Sequence, residues 1–184
     1  KKSRLVFCQL EQQSKDKISY SDLFPNSWPL ENTNFIITNH ANVFAREKLD
    51  LGARFFLEHL PDFQPNQQVI DLGCGNGVVG LTALARQPEI NIRFIDESYM
   101  AVASAQQNIE NNLPQHAKQC QYNVDDCLTK TDNNSIDVIL CNPPFHQLQA
   151  TTDHIAWQMF NDAYRVLNKG GELRIIGNRN LAYH

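Results

Sequence analysis

The chain has 184 residues, 42% of them hydrophobic and 20% charged, which are ordinary values for a soluble globular domain. No run of about 18 apolar residues occurs, so we expect no membrane-spanning helix. The net charge of −4 gives no support to a nucleic-acid partner, because proteins that bind phosphates usually carry a basic patch.

The spacing of the cysteines and histidines does not match a zinc site. The five cysteines contain no Cys-x-x-Cys pair, and the six histidines contain no pair at i and i+4. We therefore expect no metal, reduced and mostly buried thiols, and a cytoplasmic location. Because the chain starts at Lys1 rather than at Met, we expect a fragment, and we expect no signal peptide before the first strand-like run.

Residues 1–38 contain strand-like runs at 4–10 and 35–38 around a turn-rich stretch. We interpret them as an N-terminal extension or interdomain segment outside the main sheet. Apolar residues then recur at helical spacing from Leu49 to Leu60, with Asp50 near the start, which predicts an amphipathic helix. The main domain is predicted to cover residues 39–184.

From residue 67 onward, short apolar runs alternate with helical patterns. The predicted strands are 69–72, 92–95, Cys120–Val124, Ile136–Cys141 and 173–176, and the predicted helices are 77–86, Tyr99–Asn112 and 156–167. The run 169–171 (Lys-Gly-Gly) is a C-cap signal for the last helix, and Trp157 on that helix is expected in the core. This alternation predicts an α/β fold with a doubly wound, mostly parallel sheet.

A glycine-rich loop closes the first strand of the sheet. The run from Asp71 to Gly77 reads Asp-Leu-Gly-Cys-Gly-Asn-Gly, and its glycines permit tight turns and close approach of a ligand to the main chain. Gly75, Gly77 and Gly80 also match the dinucleotide pattern G-x-G-x-x-G. The register argues against a dinucleotide, because the first glycine after the strand is Gly73, which breaks that pattern. A carboxylate at Asp71 suits a cationic ligand better than a pyrophosphate.

Acidic residues follow the next two strands. Asp96 ends the second strand, where an acid accepts both ribose hydroxyls in nucleoside-binding sheets, and Glu97 is the fallback. Asp125 and Asp126 end the third strand. One of them is placed to accept from an adenine amino group, and we favour Asp126.

The sequence Asn142-Pro143-Pro144-Phe145 directly follows a buried strand. Two prolines fix two φ angles, so the tip is rigid and presents one carboxamide, one carbonyl and one aromatic ring. The Asn142 side-chain oxygen and the Pro143 carbonyl are each able to accept one N–H of an exocyclic amine, while Phe145 offers a stacking face. His146 and Gln147 are equally consistent with substrate contact and with a plain loop.

These residues resemble the class I S-adenosylmethionine-dependent methyltransferases that carry an N-P-P-[FY] motif. More closely, the chain resembles the bacterial 23S ribosomal RNA guanine-N2 methyltransferases. The segments that carry the resemblance are 39–44, 49–56, 71–80, 96–98, 101–104, 142–147, 153–160 and 171–180. It runs from about Asn39 to the end of the chain, so residues 39–184 would be the catalytic domain.

The resemblance implies roles for the candidate residues. The loop glycines and Asp71 would line the methionine part of the cofactor, Asp96 the ribose and Asp126 the adenine, and the tip would hold a flipped guanine. Asn142, Pro143 and Phe145 form the predicted catalytic set. The predicted cofactor set is Phe44, Asp71, Gly73, Cys74, Gly75, Asn76, Asp96, Glu97, Asp125, Asp126, Cys127 and Asn142.

The family also carries an N-terminal domain thought to help bind RNA, and its sheet normally closes with a sixth and a seventh strand. We expect both to lie outside this chain, which would weaken its affinity for RNA. The alternatives left open are a 16S rRNA guanine, a protein glutamine amide, and a non-catalytic RNA-binding domain. A DNA adenine methyltransferase and a nicotinamide oxidoreductase are less favoured.

Overall fold

The computed structural model describes residues 25–143 and 151–177, with side chains from residue 154 onward in the second range. The strands are β1 (Asn26–Pro29), β2 (Ile36–Asn39), β3 (Gln68–Leu72), β4 (Asn91–Asp96), β5 (Cys120–Val124), β6 (Ile136–Cys141) and β7 (Leu167–Ile175). The helices are α1 (Leu51–Glu58), α2 (Val78–Arg86), α3 (Tyr99–Asn112) and α4 (Thr151–Val166), with a 3-10 helix at Pro114–Gln119.

Five strands form the main sheet in the order β5-β4-β3-β6-β7, and all four pairings are parallel. The chain moves outward from β3 through β4 to β5, then returns to the other side of β3 to form β6. The carboxyl ends of β3 and β6 therefore border the point where the strand order reverses, which is where open α/β sheets bind ligands.

Helices cover both faces of this sheet. Along β3, Val69 belongs to the apolar cluster under α1, α2 and α3, whereas Ile70 and Leu72 belong to the cluster under α4. The alternation follows from the two-residue period of a strand, which sends successive side chains to opposite faces. The predicted doubly wound α/β fold is confirmed. No helix in the described ranges is long and apolar enough to cross a membrane.

The β1–β2 hairpin forms a separate antiparallel sheet and contacts α3. The prediction that residues 35–38 lie outside the main sheet is confirmed, while the predicted boundary between residues 38 and 39 stays a prediction. The strand expected at 4–10 lies outside the described residues. Helix α1 begins as predicted, because the Asp50 carboxylate accepts the N–H groups of Gly52 at 2.8 Å and Ala53 at 3.2 Å.

Four details of α4 and β7 were predicted wrongly. Helix α4 begins at Thr151 rather than at 156, and Trp157 is 54% exposed rather than in the core. The expected C-cap at residues 169–171 lies inside β7, which begins at Leu167 rather than at 173. Residues 168–171 bulge opposite Asp137, and Gly170 has a φ of +85°, so the glycines serve a strand irregularity instead of ending the helix.

Candidate functional site

The glycine loop after β3 and the proline tip after β6 meet at the carboxyl edge of the sheet. Gly73 has a φ of +70°, and a Cβ atom placed on it would lie 3.4 Å from the Asn142 carbonyl oxygen and 3.5 Å from Cε of Met159. Pairing of Leu72 with Cys141 fixes this proximity, because each of these residues is the last of its parallel strand. The described parts of the two most specific sequence motifs therefore lie side by side.

Protein acceptors already occupy the N–H groups of the glycine loop. Those of Gly73 and Cys74 both donate to the Ile95 carbonyl, at 2.9 and 3.0 Å, and that of Gly75 donates to Asp96 Oδ2 at 3.0 Å. At the start of α2, the N–H of Val78 donates to Asn76 Oδ1 at 3.2 Å and that of Gly80 donates to Asp71 Oδ2 at 2.8 Å. A pyrophosphate is normally held by such groups, so their internal use disfavours a dinucleotide at this loop.

Gly75 borders open space at the outer side of the loop. Its φ is +54°, and a Cβ atom placed on it would meet no atom within 4 Å. Gly77 has a similar φ of +75°, but its Cβ would lie 2.7 Å from Cβ of Ala105 on α3. The two glycines therefore have different reasons to lack a side chain. Gly77 allows the packing of α2 against α3, whereas Gly75 leaves the main chain accessible to a ligand.

Asp71 is a buried carboxyl beneath this loop, only 3% exposed. Burial raises its pKa to about 7, the Gly80 N–H opposes that rise, and the nearby Asp96 adds to it. Near neutral pH the group is therefore poised between its neutral and charged forms. A cation close to Asp71 would favour the charged form.

Asp96 is held by the loops on either side of it. Its Oδ2 accepts from Gly75 and its Oδ1 accepts from the N–H of Ser98 at 2.9 Å, which keeps the carboxylate at the strand tip. Glu97 is exposed beside it. The ribose contact assigned to Asp96 stays a prediction.

The two acids after β5 differ in environment. Asp125 is buried, and its carboxylate accepts from the N–H groups of Asp126 and Lys130 and from the Thr129 hydroxyl at 2.6 Å. Burial alone would raise the pKa of Asp125, but these hydrogen bonds and the Lys130 charge lower it. Its oxygens thus stabilise the loop itself. Asp126 is exposed, and its Oδ1 accepts from Gln158 on α4 at 3.1 Å, so it is the more available of the two.

The other predicted residues lie in varied settings. Asn142 is half-buried and Pro143 is buried, while Phe145, His146 and Gln147 lie outside the described residues. Phe44 is 50% exposed. Burial raises the pKa of Cys127 to about 12, and the pKa of Cys74 is also raised by burial, so neither thiol is activated. Within the described ranges, no three His, Cys, Asp or Glu side chains lie together as a metal site would require.

A family model described as "Methyltransferase small domain" matches residues 34–184. The chain belongs to this family. Two relatives of this methyltransferase small domain are proteins named ribosomal RNA large subunit methyltransferase G. The one from Colwellia psychrerythraea is 59% identical over 192 residues, and the one from Aeromonas hydrophila is 56% identical over 184. Both alignments cover 100% of this chain and 48% of the relative, so the chain spans about half the length of these proteins.

Solved structures similar to this methyltransferase small domain include TrmN from Thermus thermophilus, with 23% identity and a TM-score of 0.56. That match covers 67% of this chain and 36% of the TrmN chain. A geranyl diphosphate methyltransferase in complex with GPP and sinefungin matches with 18% identity and a TM-score of 0.53, covering 66% and 42% of the two chains. These likenesses show the class I methyltransferase fold.

The acidic residues around the glycine loop of this methyltransferase small domain fit a cationic nucleoside such as S-adenosylmethionine. The loop offers open space at Gly75, an ionisable carboxyl at Asp71 and an oriented carboxylate at Asp96. The exposed Asp126 provides a further acceptor, on the loop that follows β5. These acids suit a positively charged ligand, and no loop N–H group named above is left for an anionic one.

Sequence reasoning missed four residues of this methyltransferase small domain. They are Asn39, which contacts the glycine loop, Asn108, Met159 beneath Gly73, and Gln158 beside Asp126. Asn108 and Asn112 recur with Ser104 at a spacing of four on α3, which is a visible pattern of polar residues on one helix face. That pattern was available as a signal. The other contacts join distant segments, for which the sequence offers none.

Proposed function

We propose that this methyltransferase small domain transfers a methyl group from S-adenosylmethionine to the exocyclic N2 amine of a guanine in 23S ribosomal RNA. The observation that carries the proposal is the proximity of the Asn142 backbone to the glycine loop: a Cβ atom placed on Gly73 would lie 3.4 Å from the Asn142 carbonyl oxygen. It joins a loop suited to the cofactor with a tip suited to an amine. The names of the relatives support the choice of large-subunit ribosomal RNA.

Each part of the cofactor has a candidate partner in this proposal. Asp71, Gly73 and Gly75 hold the methionine part, Asp96 the ribose and Asp126 the adenine amino group, with Asn76, Cys74, Glu97, Asp125, Cys127 and Phe44 around them. When bound, S-adenosylmethionine supplies an electrophilic methyl group on a sulfonium. The protein's own contribution is to bring that group and the amine together, which removes much of the entropic barrier to reaction.

Asn142 and Pro143 act on the amine. The lone pair of a guanine amino group is delocalised into the ring, so the nitrogen is a poor nucleophile. The Asn142 side-chain oxygen and the Pro143 carbonyl each accept one N–H, which directs the lone pair toward the methyl group. The same acceptors would stabilise the positive charge that develops on nitrogen as the carbon–nitrogen bond forms and the carbon–sulfur bond breaks. S-adenosylhomocysteine would then leave, and the extra proton on nitrogen would pass to water. Phe145 stacks on the base, which must leave its helix to reach the site.

Methyl transfer to ribosomal RNA tests the proposal. The complete protein should label protein-free 23S RNA, and digestion followed by mass spectrometry should identify N2-methylguanosine. Asn142→Ala should bind S-adenosylmethionine nearly as well but lower turnover by roughly 100-fold, the loss expected for a transition-state acceptor. The control is Asn111→Ala, which removes an exposed carboxamide on α3.

Three results would overturn parts of this proposal. Unchanged turnover in Asn142→Ala would remove that residue from the mechanism. Methylation of 16S RNA or of a glutamine amide would replace the proposed substrate. Absence of cofactor binding by the complete protein would leave a non-catalytic RNA-binding domain as the better explanation. We also propose that high RNA affinity depends on the N-terminal domain that the family carries.

A further inference from the structure

Helix α3 pairs with the edge of β2 as a neighbouring strand would. Three side chains of α3, at every fourth residue, hydrogen-bond to the backbone of every second residue along β2 and the position just after it. The Asn112 carboxamide accepts from the Ile36 N–H at 2.9 Å and donates to its carbonyl at 3.0 Å. The Asn108 carboxamide does the same to Thr38, at 2.7 and 2.9 Å. The Ser104 hydroxyl accepts from the N–H of His40 at 3.0 Å. We call these contacts the α3 ladder.

The two repeats match in length. Four residues of a helix rise about 6.0 Å, and two residues of a strand rise about 6.6–6.8 Å. Each carboxamide presents an acceptor oxygen and an NH2 donor to the strand edge, as a peptide group presents its carbonyl and its N–H. The α3 ladder therefore holds the hairpin in one register on the helix, and its contacts at Thr38 and His40, on either side of Asn39, fix where Asn39 lies.

Asn39 connects this hairpin to the glycine loop. Its Oδ1 accepts from Asn76 Nδ2 at 2.9 Å, and the Asn76 carbonyl accepts from Asn108 Nδ2 at 2.8 Å. The remaining Asn76 oxygen, Oδ1, accepts from the N–H of Val78. Asn39 and Asn108 are fully buried and Asn76 is 4% exposed, so water does not compete for these contacts. Asn76 lies between Gly75 and Gly77, two of the three loop glycines with positive φ.

We infer that Asn39 is a positioning residue of the cofactor loop, acting through the side chain of Asn76. A loop with three glycines at positive φ has many alternative conformations, and a buried hydrogen bond at its centre selects one of them. The β1–β2 hairpin is then part of the working unit of the domain. The inference deepens the proposed function, on which its consequence for cofactor binding rests.

Amide hydrogen exchange in the ligand-free protein tests the positioning step. Asn39→Ala removes the acceptor for Asn76 and should speed exchange of the Gly75 and Gly77 amides by about 10-fold, the equivalent of one lost hydrogen bond. The matched control is Asn112→Ala, which removes the two contacts of the α3 ladder with Ile36. The exchange rates of the Gly75 and Gly77 amides should then stay within 2-fold of those in the unchanged protein. Asn39→Ser, whose hydroxyl is too short to reach Asn76, replaces Asn39→Ala if that variant does not fold.

Calorimetry with S-adenosylmethionine tests the consequence. Asn39→Ala should weaken binding by about 10-fold, whereas Asn112→Ala should change it by less than 2-fold. In a double-mutant cycle with Asn76→Ala, the second substitution should add little, because the two residues act through one contact. Equal effects of Asn39→Ala and Asn112→Ala on exchange would overturn the inference. If Asn39→Ala speeds exchange but the unchanged protein does not bind S-adenosylmethionine, the proposed function is overturned while the positioning role of Asn39 in the loop still stands.

Discussion

Asp71→Asn should make the free protein more stable at neutral pH. Burial raises the pKa of this carboxyl from 3.8 to about 7, a change of about 3 units. At 1.36 kcal/mol per unit, the fold favours the neutral form over the charged form by about 4 kcal/mol. Asparagine is neutral at every pH and keeps an oxygen that is able to accept from the Gly80 N–H. The substitution therefore removes a charge that burial disfavours and keeps the hydrogen bond.

The stability advantage of Asp71→Asn should increase as the pH rises. Because the folded-state pKa lies above the unfolded one, the contribution of Asp71 to stability is fully present below pH 3.8 and is lost as the pH rises through about 7. Within the interval from pH 5 to pH 8, this contribution falls over about 2 pH units, from pH 5 to about 7. That corresponds to about 3 kcal/mol. The free energy of unfolding of Asp71→Asn, minus that of the unchanged protein, should rise by about that amount.

Urea unfolding at pH 5, 6, 7 and 8 measures this difference. The control is Asp62→Asn, which makes the same substitution at an exposed carboxylate. The same Asp71→Asn protein should bind S-adenosylmethionine more weakly, because a cation favours the charged carboxyl. A pH-independent difference for Asp71→Asn would show that the buried carboxyl does not titrate in this range and would refute the argument.

Two further predictions concern the loop and the strand tip. Gly75→Ala and Gly77→Ala face the same strain of about 1 kcal/mol at positive φ, but only the Gly77 methyl collides with Ala105. Gly77→Ala should lose roughly 2–4 kcal/mol of stability in urea unfolding, whereas Gly75→Ala should lose about 1 kcal/mol and at least 10-fold in cofactor affinity. If Gly77→Ala loses the cofactor affinity and Gly75→Ala keeps it, the ligand does not lie against Gly75. Asp96→Ala should weaken cofactor binding by about 1–3 kcal/mol in calorimetry, and an unchanged affinity would remove it from the ribose site.

Local patterns explain why much of the fold could be predicted from the sequence. The parallel strands are short apolar runs, and the cap at Asp50 and the helix Tyr99–Asn112 follow from residues close together in the chain. The loop and the tip each follow a buried apolar run, but the sequence did not show that these two strands are neighbours, and it is the pairing of β3 with β6 that brings them together. The use of Asp125 within its own loop was not foreseen, although Thr129 and Lys130 lie only four and five residues away. Its carboxylate had two plausible uses, and the local contacts decide between them.

Contacts between distant segments account for what the sequence did not reveal. Asn39 and Asn76 are separated by 37 residues, and nothing in either segment predicts that their carboxamides meet. The start of α4 was missed because the residues before 156 show no apolar repeat. Gly170 and Gly171 looked like a helix end because glycine favours both a C-cap and a bulge.

The α3 ladder also protects the hairpin from unwanted association. A two-stranded sheet has two free edges, and each exposed edge is a template on which another chain can add a strand. Carboxamides from α3 fill the donors and acceptors of Ile36 and Thr38 along the outer edge of β2. A helix thus seals that edge with side chains, and no third strand is needed to keep neighbouring molecules from pairing there.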